Sequence, residues 1–255
     1  MIPMKRFSFY FAFVCLIGLV GCGDDGDNNT DVDLNIKMQY GDDPLVMYDA
    51  LTYPDGRTFR ITDVKGYFSE IGLVKDGATT EIKDVVFFSL GDAHSDLDEA
   101  QNGFDFSLPE TGVKDFDALT FNIGITDEQN NTLPADYNSS NDLSKASEYW
   151  PNWESYIYFK IEGNMDFDED GDYENGENVV LHLGTESALR NLVIDVDGNN
   201  SIEMVLDLEK VFSNNGEIYD MEAMPTIHAS LSDAALRNIN QLSDNLAQAF
   251  TVTKS

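Results

Sequence analysis

Apolar residues alternate with polar ones along much of this chain, and the period is two rather than three or four. Val32, Leu34, Ile36 and Met38 alternate over residues 32–39 and predict a first strand. Pro54-Asp55-Gly56 marks a turn, residues 58–61 a short pairing segment, and residues 66–74 a strand closed by Lys75-Asp76-Gly77. Residues 80–82 and 85–90 follow as strands. The second is apolar throughout, which predicts a central position with both faces covered. Residues 95–102 are polar and predict a helical turn, and residues 104–108 and 116–125 return to period two. Residues 126–147 are long, polar and without a period, a length at which loops are usually functional or without fixed structure. Residues 189–196 and 202–208, separated by Asp197-Gly198-Asn199-Asn200, predict a hairpin. Only near the end does the period change. Behind Ser232, a good N-cap, Ala235, Ile239, Leu242, Leu246 and Phe250 recur at spacings of three and four, one face of an amphipathic helix. The expected fold class is all-β, a sandwich or irregular barrel with a C-terminal helix.

Residues 150–184 hold both tryptophans, one of the three histidines and the densest run of acids. Tyr156, Tyr158 and Ile161 belong to one predicted strand, and Val179, Val180, Leu181 and Leu183 to the next. The connection, DFDEDGDYENGE, has the residue spacing of a calcium-binding loop. Asp166, Asp168 and Asp170 supply alternate carboxylates, and Gly171 permits the sharp turn. The carbonyl of Asp172, the side chain of Glu174 and both oxygens of Glu177 complete a shell of hard donors suited to calcium. Strands rather than helices flank it, so this would be such a loop carried on a β-hairpin, with a structural role. The plainer reading is a solvated acidic tip, because acids are common throughout this chain.

The N-terminus reads as an address. Lys5 and Arg6 precede an apolar run over residues 7–20 that is short for a membrane span, and the run ends in Leu19-Val20-Gly21-Cys22. That ending resembles a bacterial lipoprotein box, which implies cleavage before Cys22 and acylation of its thiol, hence a membrane anchor. Residues 1–21 are then the signal peptide, residues 22–30 a flexible acidic tether, and residues 31–255 a single β domain. With Cys15 cleaved off and Cys22 lipidated, the mature domain has no thiol for a disulfide or a metal. Losing Lys5 and Arg6 takes the formal charge from −32 to −34, which argues against nucleic acid or an anionic membrane surface as a partner. The expected location is the bacterial outer membrane, facing the periplasm or the cell surface.

Four stretches carry a family resemblance. Residues 66–73, followed by Asp76-Gly77, are one, and residues 117–125 with Asn131 and Pro134 are the second. The third is Tyr149-Trp150-Pro151-Asn152-Trp153-Glu154-Ser155 with Phe159-Lys160-Ile161-Glu162-Gly163, and the fourth is His182-Leu183-Gly184. In order and spacing they resemble the MbnP-like family of periplasmic copper-binding proteins, first associated with methanobactin operons. The resemblance implies Cu(I) held by imidazoles, with a tryptophan oxidised to kynurenine as a further nitrogen donor. It also implies a di-haem cytochrome c peroxidase-like partner for that oxidation. Here Pro151 and Asn152 separate the tryptophans where the family usually has one residue, so the family's position is open between Trp150 and Trp153. The implied copper residues are therefore His182 with Trp150 or Trp153. His228, which follows Met221, Met224 and Pro225, and His94 read more simply as structural histidines.

No Gly-x-Ser-x-Gly elbow, His-Glu-x-x-His pair or phosphate loop is present, so no enzymatic activity is expected. Two function classes follow. One is a lipid-anchored protein that handles copper and carries a calcium loop. The other is a calcium-stabilised β-sandwich for adhesion or glycan binding without copper, with Tyr137, Tyr149, Trp150 and Trp153 as exposed aromatic contacts.

Overall fold

The structure, a computed structural model, describes residues 32–109, 111–173, 177–196, 200–228 and 231–253. In chain order its main strands are β1 Asp33–Tyr40, β2 Thr58–Lys75, β3 Ala78–Ser89, β4 Phe104–Ser107, β5 Ala118–Ile123, β6 Ser155–Met165, β7 Asn178–Gly184, β8 Arg190–Asp195, β9 Ser201–Asp207, β10 Thr226–Ile227 and β11 Phe250–Thr253. They form two packed sheets, so the fold is all-β, as the period-two pattern predicts.

The smaller sheet runs β11-β9-β1, with β4 on the outer edge of β1. Parallel pairing of β1 with β9 sets Leu34, Ile36 and Met38 beside Ile202, Met204 and Leu206, and all six are buried. The larger sheet runs β8-β5-β2-β6-β7-β10, with β3 on the other edge of β2. Along one edge β2 pairs first with β6 through Phe59–Gly66 and then with β5 through Phe68–Val74, which curls the sheet. Between the sheets Phe68 meets Phe88 at 4.5 Å, Phe121 at 4.6 Å and Phe106 at 5.6 Å. These offset and tilted aromatic pairs form the centre of the core.

Three expectations are corrected. Residues 85–90 are not central: among the described residues β3 pairs only with β2. The run is apolar on both faces for a different reason. Phe88 enters the core, while Phe87 lies 5.1 Å from Tyr67 on the outer face, where Lys145 of the 126–147 loop sits over it. Residues 189–208 do not form a hairpin. β8 pairs with β5 in the large sheet and β9 with β1 and β11 in the small one, so the chain crosses between sheets there. Phe250 is not the last helical contact but opens β11 opposite Leu206. The helix itself, Asp233–Ala249, is capped by Ser232 and buries Ala235, Ile239, Leu242 and Leu246 as its spacing predicts.

The long loop is folded. Thr126 and Gln129 form a capping box, Asn141 caps the turn Asp142–Ser144, and Tyr156 donates to the Leu143 carbonyl at 2.8 Å. This loop delivers the short strand Tyr149–Trp150 onto β6.

Candidate metal centres

Both candidate sites lie on the hairpin of β6 and β7. Its register is antiparallel, with Ile161 opposite Leu181 and Lys160 opposite His182. Phe159 and Ile161 are buried, and the alternation of the strand sends Tyr158, Lys160 and Glu162 to the other face. On that face Lys65 of β2, Lys160 and His182 stand side by side across three strands.

β10 pairs parallel to β7 with Leu181 opposite Ile227, so the next residue, His228, falls beside His182. The two imidazoles face each other, Nδ1 to Nδ1, at 2.8 Å. The ring of Trp150 lies against His228 with centroids 4.1 Å apart. On its far side His182 Nε2 is 2.7 Å from Glu162 Oε1. A carboxylate only accepts, so His182 Nε2 bears the proton and Nδ1 presents a lone pair to His228. Burial lowers the pKa of His182 below its ordinary value, and the nearby Lys160 and His228 add to this against the opposing effect of the hydrogen bond it donates to Glu162. Its hydrogen bond with His182 holds the Glu162 carboxyl below the usual range. The pair is therefore a neutral imidazole bonded to an ionised carboxylate.

Next to it Lys160 Nζ meets Glu148 at 3.0 Å, with both side chains buried. Lys65 is 3.9 Å from the same carboxylate and 2.7 Å from Asp63. Glu148 lies two residues before Trp150, so this ion pair pins the loop where the indole reaches His228.

The acidic loop occupies the turn of the same hairpin. Asp166 accepts from the backbone of Asp170 at 3.1 Å and of Gly171 at 3.0 Å, and Asp170 accepts from Asp172 at 3.1 Å. Gly171 has φ +90°, which a side chain would strain. Glu177 Oε1 accepts from Phe167 at 2.8 Å. Oxygens of Asp166, Asp168 and Glu177 lie within 4.8 Å of one another. Glu177 is 8 % exposed, and its Oε2 is buried without a hydrogen-bond partner among the described residues. Converging acceptors with one buried carboxylate oxygen unmatched are a donor set for a hard cation. The nearby cationic side chains are engaged elsewhere: Arg57 with Asp55 and Glu222, Arg60 with Asn164 and the Tyr173 ring. Glu174 lies outside the described residues, as do Cys22, the signal segment and the tether.

The structure thus sets Trp150 against His228, the partner of His182, and sets Trp153 against Gly184. Pro151 and Asn152 make a turn closed by Trp153 N–H to the Trp150 carbonyl at 3.0 Å. Trp153 is buried against Gly184, whose missing Cβ would stand 3.1 Å from the indole. The expectation of exposed aromatics is corrected: Trp153 is buried, and Tyr137, Tyr149 and Trp150 are each partly buried against the core. His94 is a structural histidine. It is fully buried, its Nε2 accepts from Met38 N at 2.9 Å, its Nδ1 faces the Ala93 carbonyl, and burial lowers its pKa to about 4. The sulfur of Met224 accepts from Asn238 at 2.9 Å, and Met221 is buried. His228, Glu162 and the Lys160–Glu148 pair are the residues that the sequence reading passed over as site members. Only the parallel pairing of β7 with a two-residue strand brings His228 in, and so short a strand has no periodicity to read.

Comparison with known proteins returns one family model, MbnP, over residues 29–229. A solved structure, MbnP from Methylosinus trichosporium, is similar at 13 % identity and a TM-score of 0.49, covering 75 % of this chain and 80 % of its own. No curated protein matches. Among the described residues no helix is long and apolar enough to cross a membrane.

Proposed function

We propose that this chain, which belongs to the MbnP family, is a lipid-anchored extracytoplasmic protein that holds copper between His182 and His228 and calcium in the 166–177 loop. The observation that carries the copper reading is the pair of facing Nδ1 atoms, 2.8 Å apart, with the Trp150 ring against His228. Imidazole nitrogen suits copper, and burial favours the neutral, ligating form of His182. Unmodified indole offers a donor N–H and no lone pair to a metal. Trp150 therefore joins the site as the ring-opened, oxidised residue, whose aniline nitrogen can ligate. The family resemblance supports a di-haem cytochrome c peroxidase-like partner as the agent of that oxidation. The protein itself binds and does not catalyse. Acylated Cys22 supplies the membrane anchor, at the outer membrane, and the acidic surface excludes nucleic acid.

Calcium is the reading for the loop because its donors are all oxygens and the buried Oε2 of Glu177 has no other partner among the described residues. Its role is to fix the turn of the hairpin that carries His182.

The test of copper is metal analysis of protein purified from its own envelope, with mass spectrometry across residues 149–160. The expected result is bound copper and Trp150, not Trp153, gaining one oxygen and losing one carbon. His182→Ala and His228→Ala each lose the copper. Native protein with both tryptophans intact and no copper overturns this reading and leaves a calcium-stabilised adhesion or glycan-binding module.

A further inference from the structure

We propose that Glu162 is a positioning residue for the imidazole pair: it holds the His182 proton on Nε2 and thereby keeps the Nδ1 lone pair turned toward His228. This rests on the copper reading of that pair.

Three features of the geometry support it. First, His182 has two ring nitrogens and each has one neighbour: Glu162 Oε1 at 2.7 Å on Nε2 and His228 Nδ1 at 2.8 Å on Nδ1. In a neutral imidazole only one nitrogen carries the proton, so the partner of one nitrogen decides the state of the other. A carboxylate cannot donate, which fixes the proton on Nε2. Second, Glu162 is held for this task by the sheet. It sits on β6 opposite Val180 of β7 and Asp63 of β2, two positions from Lys160 on the same face. His182, opposite Lys160, is its diagonal neighbour across the β6–β7 ladder. Third, the ring of His182 cannot simply turn over. It is buried, with His228 and Trp150 packed in succession on one side and the Lys160–Glu148 pair nearby. Carboxylate partners that orient a ligating histidine in this way typically contribute 10- to 100-fold in metal affinity.

The test uses Glu162→Leu, which removes the acceptor, and Glu162→Gln, which retains an accepting oxygen. Long-range ¹⁵N–¹H correlation spectra of the metal-free protein read the tautomer directly. The expected result is a protonated Nε2 and a bare Nδ1 on His182 in the parent, a mixture or reversal in Glu162→Leu, and restoration in Glu162→Gln. Cu(I) competition titration of protein carrying its native modification then shows a loss of about 10- to 100-fold for Glu162→Leu and a smaller loss for Glu162→Gln. A parent His182 protonated on Nδ1, or a Glu162→Leu protein with unchanged tautomer and unchanged Cu(I) affinity, overturns the proposal and leaves the copper reading standing. A parent with the stated tautomer and no Cu(I) affinity overturns the copper reading and, with it, the metal-positioning role given to Glu162.

Discussion

Replacing Glu177 by glutamine separates a calcium site from an acidic turn, because the two predict opposite signs. Oxygens of Asp166, Asp168 and Glu177 lie within 4.8 Å of one another. At that separation and an effective dielectric near 20, each pair of unit charges repels by roughly 3 kcal/mol, less for the exposed Asp168. A bound divalent cation reverses that repulsion. At a hundredfold excess over its dissociation constant it adds about 2.7 kcal/mol to unfolding. In a domain of this size that corresponds to a rise of about 5–11 °C in Tm. Glutamine keeps an oxygen to accept from Phe167 N–H but removes a charge and one strong donor. The Glu177→Gln protein should therefore be at least as stable as the parent in chelator and show little or no rise in calcium. The assay is thermal unfolding by circular dichroism, in EDTA and in millimolar calcium, for both proteins. Equal melting temperatures of the parent in the two buffers would refute the calcium reading. A full calcium response in Glu177→Gln would refute the role given to Glu177.

His94 gives a pH prediction. Its folded pKa of about 4 lies below the ordinary 6.5, so the unfolded state takes the proton first as pH falls. Stability is lost from about pH 6.5 down to pH 4, by up to about 3 kcal/mol, and His94→Gln removes that part of the loss in urea titrations at the two pH values. The buried Lys160–Glu148 pair gives a second: Glu148→Leu or Lys160→Met alone costs about 3–5 kcal/mol, and the double replacement costs less than either. A double cost equal to the sum of the singles shows that the two groups are not coupled. For the anchor, Cys22→Ser should move the protein from the membrane to the soluble fraction and abolish lipid labelling; a replacement that still fractionates with membranes and carries lipid removes Cys22 from that role.

Much of the fold was legible because it depends on local alternation. The β1 pattern, the β6–β7 hairpin and the Ser232-capped helix each follow from residues near one another in sequence. What failed depends on partners far away. Residues 189–208 have the alternation and the turn of a hairpin, yet Leu192 is drawn to Phe121 and Ile202 to Leu34 on different sheets. Residues 85–90 look central because an apolar face covered by a loop reads the same as one covered by a strand. The candidate site divides along the same line. Asp166, Asp168 and Glu177 fall within one turn and were read together. His228 is 46 residues from His182 and reaches it through two paired residues, Thr226 and Ile227. The two tryptophans could not be told apart until the turn at Pro151 and Asn152 was seen to send one toward His228 and the other onto Gly184.

On the proposed reading one hairpin carries two cation sites, and donor chemistry keeps the ions apart. Copper tops the affinity order of the divalent first-row metals at nitrogen, oxygen and sulfur sites alike, so raw affinity does not keep it from a second site nearby. The loop protects itself by offering only carboxylate and carbonyl oxygen, which calcium accepts in high coordination number and Cu(I) does not favour. The imidazole pair differs in kind: its facing donors are ring nitrogens, and the adjacent carboxylates of Glu162 and Glu148 are already engaged by His182 and Lys160. Spacing does the rest. Glu177 and His182 stand five positions apart, roughly 17 Å at the rise of an extended chain and about twice the screening length of physiological salt. Coupling between the sites is then mechanical. Glu177 leads directly into β7, and its carbonyl accepts from Met165 N at 2.9 Å, closing the ladder at the turn. If the loop holds calcium, chelation should fray β7 from that end and loosen the register that sets His182 beside Glu162 and His228, an outcome that hydrogen exchange of the β7 amides in EDTA and in calcium would read.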